Sequence, residues 1–474
     1  MLGAGPAGLT AAWTLARRQV TGTVLEADGV VGGIAKTVEF DGYRFDLGGH
    51  RFYTRIPSVQ RLWEEMLGPE LLTRSRLSRI RYRDRFFNYP LRAQDVFRGL
   101  GVRESARCAA SYMYWRWRLR HQRPDSFEDW VVSRFGRRLY DLFFRSYTEK
   151  VWGIPGSEIR AEWAAQRIQD FTLFQAMLGI LGLRRDHSRT VIEEFRYPRL
   201  GPGQMWEEFQ RCVEQQGIPV LLNHRCVGIG HAGGRVESVV VRRNGDESDH
   251  RVNGVLSSIT LPELIGALDP PAPAEVRAAA NGLRYRGLCV VALMLRDAEP
   301  FPDNWIYLHD PSVRAGRVQN FGAWSRDMVR EGTSCLGVEY FCFERDEIWN
   351  MSDEPAVRLA ATDLERLGLI DASKILNGVK VRVPNAYPIY DSGYREAVAT
   401  IRGYLEHFQN LKTFGRNGLH RYNNQDHSMW TAMLATLNLL DGPVHDVWSV
   451  NTKGEYLEHQ GQIDADLRDL ELAT

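Results

Sequence analysis

The sequence lacks paired cysteines, long apolar runs and a recognisable signal peptide. Its six cysteines are scattered without a Cys-x-x-Cys pair, which argues against a disulfide framework or a zinc site and favours a reduced protein. It has no run of about 18 apolar residues, the length that a membrane-spanning helix needs. The first residues lack the basic, apolar and small-residue pattern of a secretory signal. These absences predict a cytoplasmic protein without membrane insertion or a bound metal.

An excess of charge of either sign is also absent. Lys and Arg number 60 against 59 Asp and Glu, a formal charge of +1. Polyanion binders carry a strong basic excess, so neither nucleic acid nor an anionic membrane is expected as a partner, although local basic pockets remain open. Two stretches, 74–85 and 115–120, interleave arginines with aromatic residues, as in grooves that stack single strands. The near-zero net charge of the whole chain favours another interpretation. The first stretch would be a solvated strand face, and the second an amphipathic helix whose tryptophans pack inward.

The composition is otherwise that of a folded, aromatic-rich protein. Of 474 residues, 44% are hydrophobic and 25% charged, which excludes wholesale disorder. This length exceeds what one hydrophobic core usually serves, so two or three joined domains are expected. The 13 Trp, 18 Tyr and 20 Phe would supply rings for a ligand cleft as well as for the core.

A glycine pattern opens the chain. Gly3-x-Gly5-x-x-Gly8 precedes a helix-period stretch, and a β-like run ends at Glu26, 18 residues after Gly8. Such glycines permit a tight turn and close approach of a pyrophosphate to a helix N-terminus, and the acid accepts hydrogen bonds from a ribose. The pattern predicts a dinucleotide site. Only two residues precede Gly3 where about five are usual, so we expect a short first strand in a fold that survives it.

The remaining pattern predicts a discontinuous nucleotide-binding domain with two insertions. Ser126 followed by Asp129 indicates a capped helix, and an apolar helix is expected from near Gln425 through Leu440. Apolar alternation predicts strands within 218–262 and 284–345. The expected units are the nucleotide-binding domain (1–55, 190–265 and 405–445), a mainly helical insertion (56–189), a mixed α/β domain (266–404) and a C-terminal tail (446–474).

Two loops are candidate cofactor contacts, and no nucleophile–base or metal-spaced cluster is evident. His50 follows Gly48-Gly49, and glycines let the backbone approach a flat ring, although a structural hydrogen bond for His50 is equally favoured. The polar block 414–428 precedes the last apolar helix, whose N-terminus is receptive to anions. A cofactor contact and an ordinary capped helix both remain open there.

Several motifs resemble known flavoenzymes. Gly3 to Gly8, Glu26, Gly32-Gly33 and Ser257 to Pro262 resemble FAD-binding segments of the amine oxidase and protoporphyrinogen oxidase superfamily. Others, across residues 1 to about 440, are similar to the UDP-galactopyranose mutases, especially the eukaryotic type. These motifs are Phe45 to His50, Tyr147 to Gly153 with Trp163 and Arg167, Phe195 to Pro198 with Gly203 and Trp206, Trp305 to Tyr307 with Arg317, Tyr387-Pro388, Gly415 to Tyr422, and Asn424 to Ser428.

The resemblance implies a fold and a cofactor. The implied fold is an α/β, Rossmann-like FAD-binding domain of the GR2 type of flavoprotein, with a helical insertion that carries a substrate lid and a mixed α/β substrate domain. FAD would act in its reduced form, with NADPH or NADH as external reductant. The implied cofactor-binding residues are Gly3, Gly5, Gly8, Glu26, Gly33, Gly49, His50, Val227, Ser257, Gly415, Arg416, Gln425 and Ser428.

The resemblance also implies a reaction, the interconversion of pyranose and furanose forms of a nucleotide sugar, with a UDP-sugar favoured. The reduced flavin N5 would be the nucleophile at the anomeric carbon. Tyr307 would flank the base, Trp152 would line the cleft, and the lid's Arg167 would reach the diphosphate. The implied catalytic residues are His50, Arg167, Arg317, Tyr387 and Tyr422; the substrate-binding set is Trp152, Arg167, Tyr307, Arg317, Tyr387 and Tyr422.

Two departures and two alternatives accompany this assignment. Gly316 and His420 stand where the eukaryotic enzymes have aromatic residues, so the sugar is left open. One alternative is an FAD-dependent oxidoreductase of the amine-oxidase type, acting on a glycan or secondary-metabolite intermediate. The other is a flavin-binding scaffold without catalysis. Assembly into a homo-oligomer is left open.

Overall fold

A computed structural model describes residues 1–54, 56–89, 99–161 and 194–451. The helices are α1 (Pro6–Arg17), α2 (Pro57–Leu67), α3 (Val102–Arg118), α4 (Phe127–Phe135), α5 (Arg137–Leu139), which continues through a π-helical segment (Tyr140–Phe144) into α6 (Arg145–Trp152), α7 (Gly203–Gln215), α8 (Leu261–Gly266), α9 (Ala274–Gly282), α10 (Phe321–Trp324), α11 (Glu347–Asn350), α12 (Asp353–Arg366), α13 (Tyr394–Leu405) and α14 (Gln425–Leu440). Short 3-10 turns cover Gly33–Ala35, Gly68–Glu70, Arg326–Met328, Ala372–Lys374 and Val447–Ser449.

The strands form a parallel sheet, a large mixed sheet and smaller ribbons. They are β1 (Val24–Leu25), β2 (Thr37–Phe40), β3 (Tyr43–Asp46), β4 (Leu71–Ser75), β5 (Ser78–Tyr82), β6 (Arg85–Asn88), β7 (Glu194–Pro198), β8 (Val220–Leu221), β9 (Arg225–Ala232), β10 (Arg235–Arg243), β11 (Asp246–Arg251), β12 (Val255–Ser257), β13 (Leu268–Asp269), β14 (Tyr285–Leu295), β15 (Trp305–Leu308), β16 (Arg317–Asn320), β17 (Ser334–Cys342), β18 (Ile375–Pro388) and β19 (Leu411–Thr413).

The parallel sheet is centred on the first residues of the chain. β1 pairs with β8 and β12 pairs with β19, both in parallel, and Leu2 bridges the two pairs through Leu25 and Ser257. The Leu2 N–H donates to Leu256 O at 2.8 Å, and the Leu25 N–H donates to Met1 O at 2.9 Å. A first strand this short still closes the sheet because both of its edges are hydrogen-bonded.

Three helices pack around one core beside this sheet. α1 contacts both α7 and α14, and the buried rings of Trp63 and Trp206 lie in the same core cluster. α14 begins at Gln425 and ends at Leu440, as predicted, and is buried on nearly all sides. The predicted cap at the start of α4 is also confirmed, because Ser126 Oγ accepts the Asp129 N–H at 3.1 Å. Local signals therefore identify both helices correctly.

A seven-stranded sheet is built from two separate segments of the chain, residues 78–88 and 285–388. Its order is β18-β14-β17-β16-β15-β5-β6, antiparallel except for the parallel pair β15 and β5. β17 is buried throughout and β14 nearly so, with a core cluster on each face. The three strands β4 to β6 interrupt the segment expected to be mainly helical, and they include the strand favoured for residues 74–85, although β5 is largely buried and not solvated. Their period-two pattern is obscured by arginines, such as Arg79, which pairs with the fully buried Asp303.

α3 differs from expectation on its outer face. Trp115 is half-buried, but the Trp117 side chain is 65% exposed, so the expectation that both pack inward is wrong for Trp117. Within the ranges that the structure describes, no helix is both long and apolar enough to cross a membrane.

A buried polar network anchors the ribbon of β2 and β3 just before His50. Tyr197 Oη and Thr37 Oγ1 both donate to the Asp46 carboxylate, and Thr37 Oγ1 accepts the Gly203 N–H at 3.0 Å. Burial raises the pKa of Asp46 to about 7, although the hydrogen bonds from Tyr197 and Thr37 oppose the shift. The network therefore ties the ribbon to β7 and to the start of α7 around a carboxyl group that ionises only near neutral pH.

This network predicts a pH-dependent stability. The free energy of unfolding should fall between about pH 4 and pH 7, because the folded state keeps the Asp46 proton that the unfolded chain releases. Asp46→Asn, neutral and similar in shape, should remove this slope, which is at most about 1.4 kcal/mol per pH unit. Urea unfolding of both proteins at several pH values measures it, and equal slopes for the two would contradict the assignment.

Candidate functional site

The glycine loop forms a cradle at the start of α1. Gly3 has a φ of +95°, and a Cβ atom on Gly8 would lie 1.8 Å from the Gly3 carbonyl oxygen. A Cβ on Gly5 would meet only backbone atoms of Gly32 and Gly33, none closer than 3.7 Å. The first N–H groups of α1 have no acceptor within the helix, so they are directed at this space. Backbone of this shape accommodates a pyrophosphate.

Glu26 is held beside this loop at the end of β1. Its Oε2 accepts the Ala4 N–H at 2.6 Å, and its Oε1 accepts the Asp28 N–H at 2.8 Å. Its carbonyl oxygen accepts the N–H of His224 at 2.7 Å, which brings the chain leading to Val227 and β9 to the same edge. The carboxylate is therefore placed where the fingerprint predicts a ribose.

Segments from late in the sequence complete the cradle. A Cβ atom on Gly415, which has a φ of +83°, would lie 2.8 Å from Ala7 Cβ, so the chain after β19 packs directly on α1. Ser258 Oγ donates to Leu2 O at 2.9 Å. Ser257 Oγ is buried and has no hydrogen-bond partner among the residues that the structure describes. An unsatisfied hydroxyl beside a glycine cradle fits a polar cofactor.

His50 follows the network of Asp46 and is linked to α14. Gln425 Nε2 donates to His50 O at 3.3 Å, and Gln425 Oε1 accepts the indole N–H of Trp206 at 3.1 Å. The Nε2 of His50 lies 3.2 Å from Leu47 O. Burial lowers the pKa of His50 to about 4, with Arg416 and Arg317 adding to the shift against the Leu47 hydrogen bond. The imidazole is therefore neutral at neutral pH.

The N-terminus of α14 lies next to this loop. Asn424 caps the helix, and Ser428, in its first turn, is buried. Gln425 is thus the contact between the polar block 414–428 and His50. The predicted cofactor residues His50, Gln425 and Ser428 are brought to one region.

A buried ion pair holds Arg317 next to the His50 loop. Its Nε and Nη2 donate to the two carboxylate oxygens of Glu339 at 2.9 and 2.6 Å, and Glu339 is fully buried. Burial alone would lower the pKa of Arg317, but Glu339 outweighs it and the pKa lies well above its ordinary value. Gln319 Nε2 donates to the same carboxylate at 2.7 Å and lies 2.9 Å from where a Gly49 Cβ would be. The loop of Gly48 and Gly49 therefore rests directly on this network.

Two tyrosines, a tryptophan and an arginine meet on the other side of Arg317. The rings of Tyr387 and Tyr422 stack with centroids 5.5 Å apart, and Trp152 lies 6.3 and 6.4 Å from them. Arg416 Cζ is 4.1 Å from the Tyr422 centroid and 5.2 Å from that of Tyr387. The Arg416 guanidinium donates to Ala386 O and to Asn423 O, so its position is fixed by backbone acceptors.

An aromatic row extends from Arg317 toward the surface. The Tyr307 ring lies 6.0 Å from Arg317 Cζ, 5.6 Å from the Tyr147 ring and 4.6 Å from the ring of the exposed Tyr89. Sequence reasoning did not select Tyr89, Tyr147 or Glu339 as site residues. Of these, Glu339 had a signal, because a single acid stands in an otherwise apolar strand.

The two departures from the mutase motifs have structural explanations. A Cβ atom on Gly316 would lie 2.6 Å from the ring of Phe341, and Phe341 packs edge-on against Tyr387 at 5.4 Å. A ring from β17 therefore fills the space that an aromatic residue at 316 would need. His420 is buried, lies edge-on to Tyr285 at 4.8 Å, and has a pKa lowered by burial to about 4. It packs as a neutral ring.

The structure thus gathers most of the residues that the sequence singled out. Seven of them form one group of neighbouring side chains, referred to below as the cleft residues: His50, Arg317, Tyr387, Tyr422, Arg416, Trp152 and Tyr307. Of the expected lid, Tyr147 to Gly153 lies at the end of α6, while Trp163 and Arg167 lie outside the described residues.

The sequence matches the family model described as flavin containing amine oxidoreductase over residues 6–420. The match covers most of the chain, so the chain belongs to this family. The family is flavin-containing, which implies FAD, and the cradle, Glu26 and Ser257 fit that cofactor. The predicted superfamily, flavoprotein class and cofactor are thereby confirmed.

Solved structures of similar shape include several flavoenzymes. A reduced UDP-galactopyranose mutase has a TM-score of 0.81 at 19% identity, covering 98% of this chain and 96% of that one. A putative protoporphyrinogen oxidase from Exiguobacterium sp. 255-15 has 0.70 at 17%, covering 93% and 97%. An engineered putrescine oxidase has 0.63 at 15%, covering 93% and 98%. These likenesses confirm the predicted fold class.

The cradle predicts a specific sensitivity of flavin binding. Gly8→Ala should strip the purified protein of FAD, because the added methyl would overlap the Gly3 carbonyl and open the loop. Gly403→Ala is the matched control, since a Cβ there meets no atom within 4 Å. The ratio of flavin absorbance to protein absorbance measures the effect. Full flavin content in the Gly8 variant would show that the loop does not hold the cofactor.

Proposed function

We propose that the protein is a flavin-dependent nucleotide-sugar mutase that interconverts pyranose and furanose forms, as the resemblance to UDP-galactopyranose mutases implies. The observation that carries the proposal is the convergence of the cleft residues. Arg317, Tyr387, Tyr422 and Trp152 converge next to the neutral His50, which follows the loop resting on the network of Glu339. A mutase needs anion donors beside a flavin, and these side chains would supply the donors next to the loop that the resemblance assigns to the flavin.

The diphosphate of the substrate would be bound by few groups. Glu339 occupies Nε and Nη2 of Arg317, so the remaining N–H groups of that guanidinium are the donors proposed for the phosphates. Burial raises the pKa of Tyr387 above its ordinary value, and Tyr422 adds to the shift, so its phenol stays a neutral donor. A UDP-sugar is favoured because the Tyr147, Tyr307 and Tyr89 row beside Arg317 presents ring faces suited to a base.

The reaction proposed requires no acid–base pair from the chain. When bound and reduced by NADPH or NADH, FAD would supply the nucleophile for the anomeric carbon. Tyr387, Tyr422 and Arg317 would hold the diphosphate leaving group close enough to return, and Trp152 would exclude water from the cleft. We also propose Arg167 as a second phosphate donor. Membership of the eukaryotic branch is part of the same proposal.

An FAD-dependent oxidoreductase is the second candidate. The family model and the likeness to a putrescine oxidase and a putative protoporphyrinogen oxidase favour net redox chemistry instead. An oxidase would take electrons from its substrate, so substrate should bleach the oxidised flavin without air and air should then yield peroxide. The two candidates therefore differ in the flavin redox state that each requires.

The mutase proposal predicts activity only with reduced flavin. Dithionite-reduced protein should convert UDP-galactopyranose or another nucleotide sugar to its furanose form, and the oxidised protein should not. Arg317→Lys should lower kcat/KM by roughly a hundredfold, because lysine loses the planar fork that pairs with Glu339. Chromatography of the products measures conversion. Absence of conversion for every nucleotide sugar, together with peroxide formation from an amine or hydride donor, would favour the oxidoreductase.

UDP affinity tests the tyrosine donors separately. Tyr387→Phe and Tyr422→Phe should each weaken UDP binding about 10- to 100-fold, the usual cost of one hydrogen bond to a charged group. Tyr404→Phe is the control. Tyr404 lies on α13, packs edge-on against Phe408 and is not one of the cleft residues. Titration of UDP followed by flavin absorbance gives the Kd. Unchanged affinity in both cleft variants would contradict the diphosphate assignment.

A further inference from the structure

The outer face of α3 carries large apolar side chains in addition to those that pack on the core. The residues of α3 that are buried are Ser105, Cys108 and Tyr112. Its solvent-facing side carries four large hydrophobic side chains with high exposed fractions: Val102 (73%), Met113 (65%), Tyr114 (49%) and Trp117 (65%). A helix that only packs on its own core would present polar side chains on that side.

These side chains form one continuous stripe. Val102, Ala106, Ala110, Met113 and Trp117 follow one another at helical spacings of three or four residues, and all are exposed. At 1.5 Å per residue the stripe is about 22 Å long. Scattered exposed hydrophobic residues need no explanation, but a contiguous apolar surface marks an interaction site.

Arginines flank this stripe and continue beyond the helix. Residues 102–123 contain six arginines and one glutamate, a formal charge of +5 in a chain whose total is +1. Glu104 is already engaged by Arg107 and Arg138. Arg118 Nη1 donates to the neutral phenol of Tyr114 at 2.8 Å, so that hydrogen bond leaves its charge in place. The apolar stripe is therefore surrounded by concentrated positive charge.

We propose that α3 is a docking surface for an anionic lipid bilayer. A helix lying in the plane of a bilayer inserts a short apolar stripe that includes Trp among the acyl chains and places arginines against lipid phosphates. The stripe of Met113 and Trp117 and the flanking positive charge match both requirements. The stripe lies on a single helix and is exposed in the part of the chain that the structure describes, which suits a planar partner. This surface carries none of the cleft residues, so it is independent of the proposed reaction.

A second copy of the chain fits this surface less well. Two-fold pairing through α3 would set the arginines of one subunit against the same arginines of the other, and like charges at an interface are unfavourable. An acidic protein would satisfy the charge, but a membrane also explains why Trp117 and Met113 stay exposed. Experiments can distinguish a second copy of the chain and an acidic protein from a membrane.

Vesicle flotation of the full-length, FAD-loaded protein tests the proposal. The protein should float with vesicles that contain phosphatidylglycerol and phosphatidylcholine, remain unbound with phosphatidylcholine alone, and be released by high salt. Arg118→Gln with Arg120→Gln should lower partitioning about 25-fold, since each basic residue near an anionic surface contributes about 1 kcal/mol. Met113→Ser with Trp117→Ser should also reduce partitioning strongly, while flavin content and UDP affinity stay unchanged in both double variants.

Two control variants remove exposed hydrophobic or charged side chains from surfaces other than α3. Val444→Ser removes another hydrophobic side chain that is 75% exposed, and Arg243→Gln with Arg251→Gln removes two exposed arginines on β10 and β11; both should bind vesicles like the original protein. Equal binding to neutral and anionic vesicles, or full binding by the α3 variants, would overturn the proposal. A dimer that Met113→Ser with Trp117→Ser dissociates would assign the surface to a second copy, and salt-sensitive binding to polyglutamate without vesicle binding would assign it to an acidic protein.

Discussion

The buried carboxylate of Glu339 is the constraint on which the arrangement of the cleft depends. A charge inside a wholly buried strand is unfavourable unless it is paired and hydrogen-bonded. β16 supplies both partners, since Arg317 pairs with Glu339 across the antiparallel register and Gln319 donates to the same carboxylate. Because Gln319 also supports Gly49, this pairing sets where the loop before His50 lies. The pairing of β16 with β17 thus positions Arg317 and the loop of Gly48 and Gly49 together.

The other titratable side chains in and around the cleft are mostly uncharged at neutral pH. His50 and His420 are held neutral by burial, and the phenol of Tyr387 keeps its proton. The charge of Arg317 is balanced by Glu339, and Arg416 is fixed by backbone carbonyls. This agrees with a chain of nearly zero net charge and with chemistry that a bound flavin supplies, in which side chains bind and orient the substrate. Positive charge is concentrated instead on α3, away from the cleft residues.

Sequence reasoning succeeded where the signal was local. The glycine loop, Glu26, the Ser126 cap and the bounds of α14 follow from spacing within a few tens of residues, and the structure confirms them. It favoured a solvated strand for residues 74–85 but failed to show that β5 is buried, because its partner β15 lies more than 200 residues later in the chain. It also failed for Trp117, since helical periodicity shows that a helix has two faces but does not show which one the protein covers.

By itself, therefore, the sequence determined the cofactor class, the anion-receptive loop and the residue types of the cleft. Those features depend on backbone freedom at glycines and on side-chain chemistry, which a local pattern contains. Tertiary structure alone decided that Glu339 faces Arg317, that Phe341 fills the space beside Gly316, and that Tyr89 and Tyr147 join Tyr307. Such contacts depend on strand order and register between distant segments, and strand pairing of that range is set only when the whole chain packs.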